Sequence, residues 1–171
     1  MGYGFPGGVG AKIGNLDKPV IVISGDGGMQ MNIQEFATAM CQETNIIVCV
    51  LNNYYLGMVR QIQQLFYGKR YEATCLKRRK ACPPRCKGPG ADCPPYEPDF
   101  VKLAEAMGAK GYRVTSQEEF KEAFKEALES EVPVLIDCII NCDDKVWPMV
   151  APGEAISSSF TGEDLAKKQQ S

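Results

Sequence analysis

Two short polar clusters carry the chemistry that this sequence can offer. Gly25-Asp26-Gly27-Gly28 ends the apolar run at 20–24, and Asn52-Asn53 ends a second run at 46–51. Asp26 supplies a hard anionic oxygen and Asn53 a neutral amide oxygen. Magnesium prefers such ligands, taking few from protein and the remainder from phosphates and water. The flanking glycines let backbone approach a phosphate, and a helix starting after the first cluster aims its free N–H groups at the same place. Alone, a Gly-Asp-Gly is usually a turn and an Asn-Asn an ordinary loop. Together they say more, because each follows an apolar run and twenty-four residues separate Gly27 from Asn52.

The elements that must position these clusters are legible in the pattern. The runs at 20–24, 46–51 and 133–140 are β-branched and continuous, as in strands buried on both faces, and 112–114 reads as a short strand. Helical patterns lie around 9–13, at 33–44 with Ile33, Phe36, Ala37 and Met40 on one face, and at 56–66. Asp99 caps a further helix that Gly108 ends, and Ser116 with Glu119 forms a capping box. Strands alternating with helices give an α/β class: a doubly wound, mostly parallel sheet with helices on both faces. Ligands of such sheets sit outside the carboxyl ends of the strands, where both clusters fall. One domain is expected at 1–156, with a cysteine-rich basic insertion at about 72–97 and a loosely ordered tail at 157–171.

Composition narrows the chemistry. The 171 residues carry a net charge of -2 and no histidine. That balance points to neither nucleic acid nor a membrane surface as partner. The absence of histidine removes serine–histidine and cysteine–histidine nucleophiles from this chain. No stretch is apolar for the ~18 residues of a membrane span, and the start lacks a signal-peptide pattern, so a cytoplasmic location is expected.

The clusters belong to a longer ordered set. It includes Met1-Gly2-Tyr3-Gly4-Phe5-Pro6, Gln30-Met31-Asn32, Leu51-Asn52-Asn53, Leu56-Gly57-Met58-Val59-Arg60-Gln61, Pro98-Asp99-Phe100, Pro133-Val134-Leu135-Ile136-Asp137 and Trp147-Pro148-Met149-Val150. The set resembles the C-terminal, thiamine diphosphate-binding domain of the acetolactate synthase (acetohydroxyacid synthase) large-subunit family. The resemblance implies that Asp26, the Asn53 side chain and the Tyr55 carbonyl ligate Mg2+. It puts Gly25, Gly27, Gly28 and Met29 along the diphosphate, Met1 under the bent cofactor, and Gly57 and Met58 beside it. Met58 would line the reaction centre, its competing reading being a core methionine. Ile62 stands where biosynthetic members carry tryptophan, which implies weaker preference for 2-oxobutyrate and poor sulfonylurea binding.

The implied activity, part of branched-chain amino acid biosynthesis, is decarboxylation of pyruvate and condensation with a second 2-oxoacid. The family's activating glutamate lies in a separate N-terminal domain, so no catalytic residue is assigned here, and the chain alone is expected to be silent. FAD is not expected in this domain alone. Expected partners are that N-terminal domain or a subunit supplying the pyrimidine site, further copies of the chain, and a small regulatory subunit. Two other readings stay open: a subunit of a split thiamine diphosphate 2-oxoacid decarboxylase or oxidoreductase, and a non-catalytic cofactor-binding or assembly module.

The insertion departs from the family pattern. Cys75, Cys82, Cys86 and Cys93 are separated by six, three and six residues. That is neither the paired spacing of common zinc sites nor a ferredoxin run. A metal site, a disulfide or redox pair, and unligated thiols all remain as readings. Lys77, Arg78, Arg79, Lys80, Arg85 and Lys87 face a single acid, Asp92, giving either a solvated surface or a patch that attracts anionic 2-oxoacids.

Overall fold

The computed structural model of the chain describes residues 1–83, 86, 88–90, 93 and 96–168. The glycine-rich opening forms helix α1 (Gly4–Ile13), followed by strand β1 (Ile21–Gly25), the one-turn helix α2 (Asp26–Met29), α3 (Glu35–Cys41), β2 (Ile47–Asn52) and α4 (Gly57–Phe66). Beyond the insertion come α5 (Phe100–Ala106), β3 (Lys110–Val114), α6 (Gln117–Leu128) and β4 (Val134–Ile139). The strands form a four-stranded parallel sheet in the order β1-β2-β4-β3.

The step from β1 to β2 and the step from β3 to β4 run in opposite directions across the sheet. Right-handed crossovers therefore place their helices on opposite faces. On one face Phe5 and Val9 of α1, Phe36 and Ala39 of α3, and Phe100 and Ala104 of α5 pack on Val22, Val48, Val50 and Leu135. On the other, Ala123 and Ala127 of α6 pack on Ile47, Cys49, Val134, Ile136 and Cys138. The doubly wound class is thus observed, with the period of two in β2 dividing its side chains between two apolar layers.

Several local expectations change. β1 is not buried on both faces: Ile21 is 46% and Ile23 71% exposed, because β1 is an edge strand that α6 does not reach. Helix formation at 33–44 is confined to α3, and Ala39 rather than Ala37 shares the buried face with Phe36. The caps hold. Asp99 accepts from the Lys102 N–H at 3.3 Å and Ser116 from the Glu119 N–H at 3.2 Å. Glu119 reaches back one residue beyond the usual box, to the Thr115 N–H at 2.6 Å.

The expected loose tail is structured as far as Lys168. A 3-10 turn (Ile156–Ser158) leads to α7 (Gly162–Lys168), and between them Phe160 bridges Met149 and packs on Trp147, ring centres 5.9 Å apart. Among the described residues no helix is long and apolar enough to cross a membrane.

Gly111 lets α5 sit directly on β3. A Cβ there would lie 2.9 Å from the Val101 carbonyl oxygen and 3.0 Å from its Cα, and neither can yield without moving the helix. Gly111→Ala is expected to cost about 2 kcal/mol, read as a lower urea midpoint at unchanged slope. An unaltered midpoint would contradict this close packing.

Candidate functional site

β1 and β2 lie side by side with Gly25 level with Leu51, so both polar clusters leave the sheet at the same edge. Asp26 opens α2 and is buried, 3% exposed. Its Oδ1 accepts from the Gly27 N–H at 2.8 Å, whereas Oδ2 is buried with no partner among the described residues. Burial raises the Asp26 carboxyl to about 6, against the pull of the backbone N–H groups of Gly27, Tyr54 and Tyr55. Those two tyrosine amides belong to the loop after β2, so the clusters meet.

The second loop is held from both sides. Asn53 Oδ1 accepts from the Tyr55 N–H at 2.9 Å. Tyr54 takes the left-handed conformation (φ 62°), uncommon for a bulky residue, and its N–H donates to Asn52 Oδ1 at 3.1 Å. The segment leading into the insertion clamps the far side, with Leu56 N–H donating to the Thr74 carbonyl at 2.8 Å and Leu76 N–H to the Tyr54 carbonyl at 2.9 Å. Tyr55 and Cys75 form the antiparallel bridge between these bonds. In that geometry the Tyr55 N–H and carbonyl face away from Cys75, toward the side of the loop that meets Asp26.

Behind the loop stands an ion-pair network that the sequence pattern did not disclose. Asp137 of β4, fully buried, accepts from Asn52 Nδ2 at 2.9 Å and from Arg113 Nε at 3.1 Å. Arg113 of β3 also reaches Asp99 at 3.0 Å. Burial pushes the Asp137 carboxyl up, against the hydrogen bonds from Asn52 and Arg113. A carboxylate in an otherwise apolar strand, two residues from its neighbours Leu135 and Ile139 on one face, is the only hint the sequence offers.

Comparison with known proteins agrees with this geometry. Residues 1–138 match the family described as thiamine pyrophosphate enzyme, C-terminal TPP binding domain. The chain belongs to that family. It is 39% identical over 157 residues to the acetolactate synthase large subunit of Cyanidium caldarium, covering 92% of this chain and 24% of the relative. The corresponding protein of Corynebacterium glutamicum is 42% identical over 158 residues, 92% of this chain and 23% of the relative. The chain thus spans about a quarter of the length of the curated relatives it matches. Among solved structures, the Rhodococcus jostii RHA1 thiamine diphosphate-dependent 4-hydroxybenzoylformate decarboxylase superposes with a TM-score of 0.69 at 29% identity, over 85% of this chain and 24% of that one.

The donor set fits a thiamine diphosphate site. A buried carboxylate oxygen without a partner among the described residues, a neighbouring amide oxygen with a spare lone pair, and a carbonyl that faces away from Cys75 form a hard oxygen set of the kind magnesium takes. Three of the glycines also make room for neighbouring side chains. A Cβ on Gly27 would meet Leu56 at 2.6 Å, on Gly28 the Ser24 hydroxyl at 3.1 Å and on Gly57 the Asn53 amide at 2.9 Å. Gly25 alone of these opens onto free space.

The Met29 side chain is buried in the core, which leaves only its backbone for a ligand. Met1 is exposed, next to Gly2, whose carbonyl accepts from Asn32 Nδ2 at 2.6 Å. Met58 is half exposed rather than a core residue, and Ile62, one turn on along α4, lines a separate cleft of about 700 Å³ with Tyr67 and Tyr71. The four insertion cysteines do not form a site for a single metal ion: among the described residues no three candidate ligands gather closely enough. Of the basic cluster, Lys77 pairs with Glu97 and Arg79 lies over Tyr96, while Arg85, Lys87 and Asp92 lie outside the described residues.

Two tests follow from the electrostatics. With no divalent cation, the folded-state carboxyl of Asp26 (about 6) lies above its unfolded value (3.8), so the folded chain binds the proton more tightly. That stabilisation is present below the unfolded value and is lost as pH rises through the folded one, leaving a charge cost of about 3 kcal/mol at pH 7. Asp26→Asn should therefore raise the thermal midpoint at pH 7 by roughly 6–12 °C and change it little near pH 4. A loss of stability at pH 7 would refute the assignment. Arg113→Met, which strands a buried carboxylate, should cost about 3 kcal/mol at pH 7. It should cost less at a lower pH, because burial raises the Asp137 carboxyl and favours its uptake of a proton. Equal losses in urea unfolding at the two pH values would count against a buried charge.

Proposed function

We propose that this domain holds the diphosphate of thiamine diphosphate through a magnesium ion bound by Asp26, Asn53 and the Tyr55 carbonyl, and that it serves an acetolactate synthase-type carboligation. The observation that carries the reading is the buried Asp26 oxygen without a partner, beside the loop that presents the Asn53 amide and the Tyr55 carbonyl. Identity of 36–42% to acetolactate synthase large subunits supports the reaction class. The bound cofactor supplies the electron sink for decarboxylating a 2-oxoacid and joining the remaining fragment to a second one. The chain's own contribution is to bind and orient. Asp26 contributes the charge, Asn53 and Tyr55 neutral oxygens, and Gly25 open space for the phosphates.

Met58 and Ile62, on successive turns of α4, would face substrate, with Ile62 lowering preference for 2-oxobutyrate. The activating carboxylate would come from an N-terminal pyrimidine-binding domain, on a longer chain or a partner subunit. Support for a further domain comes from the short share of the relatives that the chain spans. It comes also from the uncovered apolar side chains of Ile21, Ile23 and Leu51 at the β1 edge.

Native mass spectrometry of the chain with thiamine diphosphate and magnesium should show a mass gain equal to the cofactor plus one metal ion, abolished by Asp26→Ala. Binding that survives Asp26→Ala, or that needs no divalent cation, would overturn the metal assignment.

A further inference from the structure

The loop that carries Asn53 and Tyr55 is strained. Tyr54 keeps a left-handed backbone (φ 62°), and a bulky residue holds that conformation only where its surroundings enforce it. On the insertion side the loop borders a cavity of about 290 Å³, walled by Asn53, Tyr54 and Tyr55 together with the thiols of the insertion and Cys142. Firm packing comes instead from α4. The Tyr55 ring is buried, and the guanidinium carbon of Arg60 lies 4.6 Å from its centre.

Arg60 is itself buried, 3% exposed, and a buried cation is costly unless it is paired. Asp143, in the loop after β4, supplies an anion at 3.0 Å, but that carboxylate is half exposed to water. Two rings add to the hold, Tyr55 and, at 4.0 Å, Tyr71. A cation over an aromatic face gains most where both are out of water. The flat guanidinium can lie against a ring while its edge bonds a carboxylate, which a lysine ammonium cannot do. One side chain thus ties together α4, the loop after β2, the segment entering the insertion and the loop after β4. The next residue, Gln61, exchanges two hydrogen bonds of 2.9 Å with the Val146 backbone. That pair fastens α4 to the loop after β4 by a route that bypasses Tyr55.

We propose that Arg60 is a positioning residue for the cation site, its guanidinium fixing the Tyr55 ring and through it the direction of the Tyr55 carbonyl. The inference rests on the reading of Tyr55 as a ligand. Arg60 acts by keeping the loop in the form that can bind. A loop that holds this form only part of the time binds more weakly in proportion to that fraction.

The test is the affinity for Mg2+, titrated into the full chain at saturating thiamine diphosphate. Arg60→Met should weaken it about tenfold, the size expected when a desolvated cation–π contact no longer holds the loop. Tyr71→Leu, which loosens Arg60 and leaves Tyr55 in place, should weaken it in the same direction and serves if Arg60→Met fails to fold. Gln61→Met removes the bonds to Val146 and leaves the contact with Tyr55. It should lower the thermal midpoint and keep the wild-type affinity. Wild-type affinity in Arg60→Met, or an equal loss in Gln61→Met, would overturn the proposal. A metal-free readout separates it from the reading of the site. Without Mg2+, Arg60→Met should speed amide exchange at Leu56 and Leu76, whose N–H groups pin the loop, more than at Val48 and Val50 of β2. A uniform change across these amides would also overturn it. If the wild-type chain takes up no Mg2+, the reading of Tyr55 as a ligand fails, and the exchange pattern alone decides whether Arg60 positions the loop.

Discussion

The site depends on one buried carboxylate. Asp137 sits in β4 between β2 and β3, level with Val50 and Arg113, and bonds to both neighbouring strands through side chains. A charge so placed is costly unless it is paired and hydrogen-bonded, and here Arg113 and Asn52 meet both conditions. The consequence is directional. Asn52 is committed through its amide nitrogen to Asp137, so its oxygen is left to accept the Tyr54 N–H, and that bond secures the left-handed turn between Asn53 and Tyr55. The first of the two asparagines is therefore structural and the second is available to a ligand, although they are identical in type. Removing Asp137 would release this turn before it touched any cofactor atom.

The loop after β1 is fixed by fit rather than by charge. Leu56 occupies the space a Gly27 side chain would need, and the Asn53 amide occupies that of Gly57. The second loop thus packs into the first where Gly27 lacks a Cβ, while Gly57 makes room within the second loop for its own Asn53. This explains how a carboxylate can be buried with one oxygen unpartnered. The surrounding packing holds Asp26 in place, and the chain accepts the electrostatic cost at a position where a cation would offset it.

Much of the fold was legible because its signals are local. Apolar runs marked β2 and β4, Asp99 and Ser116 marked helix starts, and the alternation of elements gave the doubly wound class. The Asp26 and Asn53 clusters were legible because each directly follows a strand, and parallel pairing then fixes them on one edge. What was not legible depends on lateral neighbours. The run at 20–24 has the composition of a buried strand, yet nothing in it records that β1 lies at an edge beyond the reach of α6. The Asp137–Arg113–Asn52 network joins residues up to 85 apart in sequence, and no local pattern marks them as partners. Gly27 reads in the sequence as room for a phosphate, and nothing local shows that Leu56 from the loop after β2 lies where its Cβ would fall. Residues 157–168 looked polar and loose, and the order they have comes from Phe160 meeting Trp147 and Phe66 across the chain.

Tyr55 connects the two unusual regions of the molecule. Its carbonyl side faces the loop carrying Asp26, while its other edge pairs with Cys75, the first thiol of the insertion. Its ring lies under the Arg60 guanidinium, 4.6 Å from centre to carbon, and Arg60 in turn covers Tyr71 and pairs with Asp143 just past Cys142. The backbone proposed to offer a third oxygen to a cation is thus built into the wall of the thiol-lined cavity, with no linker between them. A short antiparallel bridge transmits position well, because a shift of Cys75 must either carry Tyr55 with it or break the bonds of Leu56 and Leu76. Asn53, Tyr54 and Tyr55 themselves line that cavity, so the insertion packs directly on the loop after β2 rather than hanging from it as an appendage.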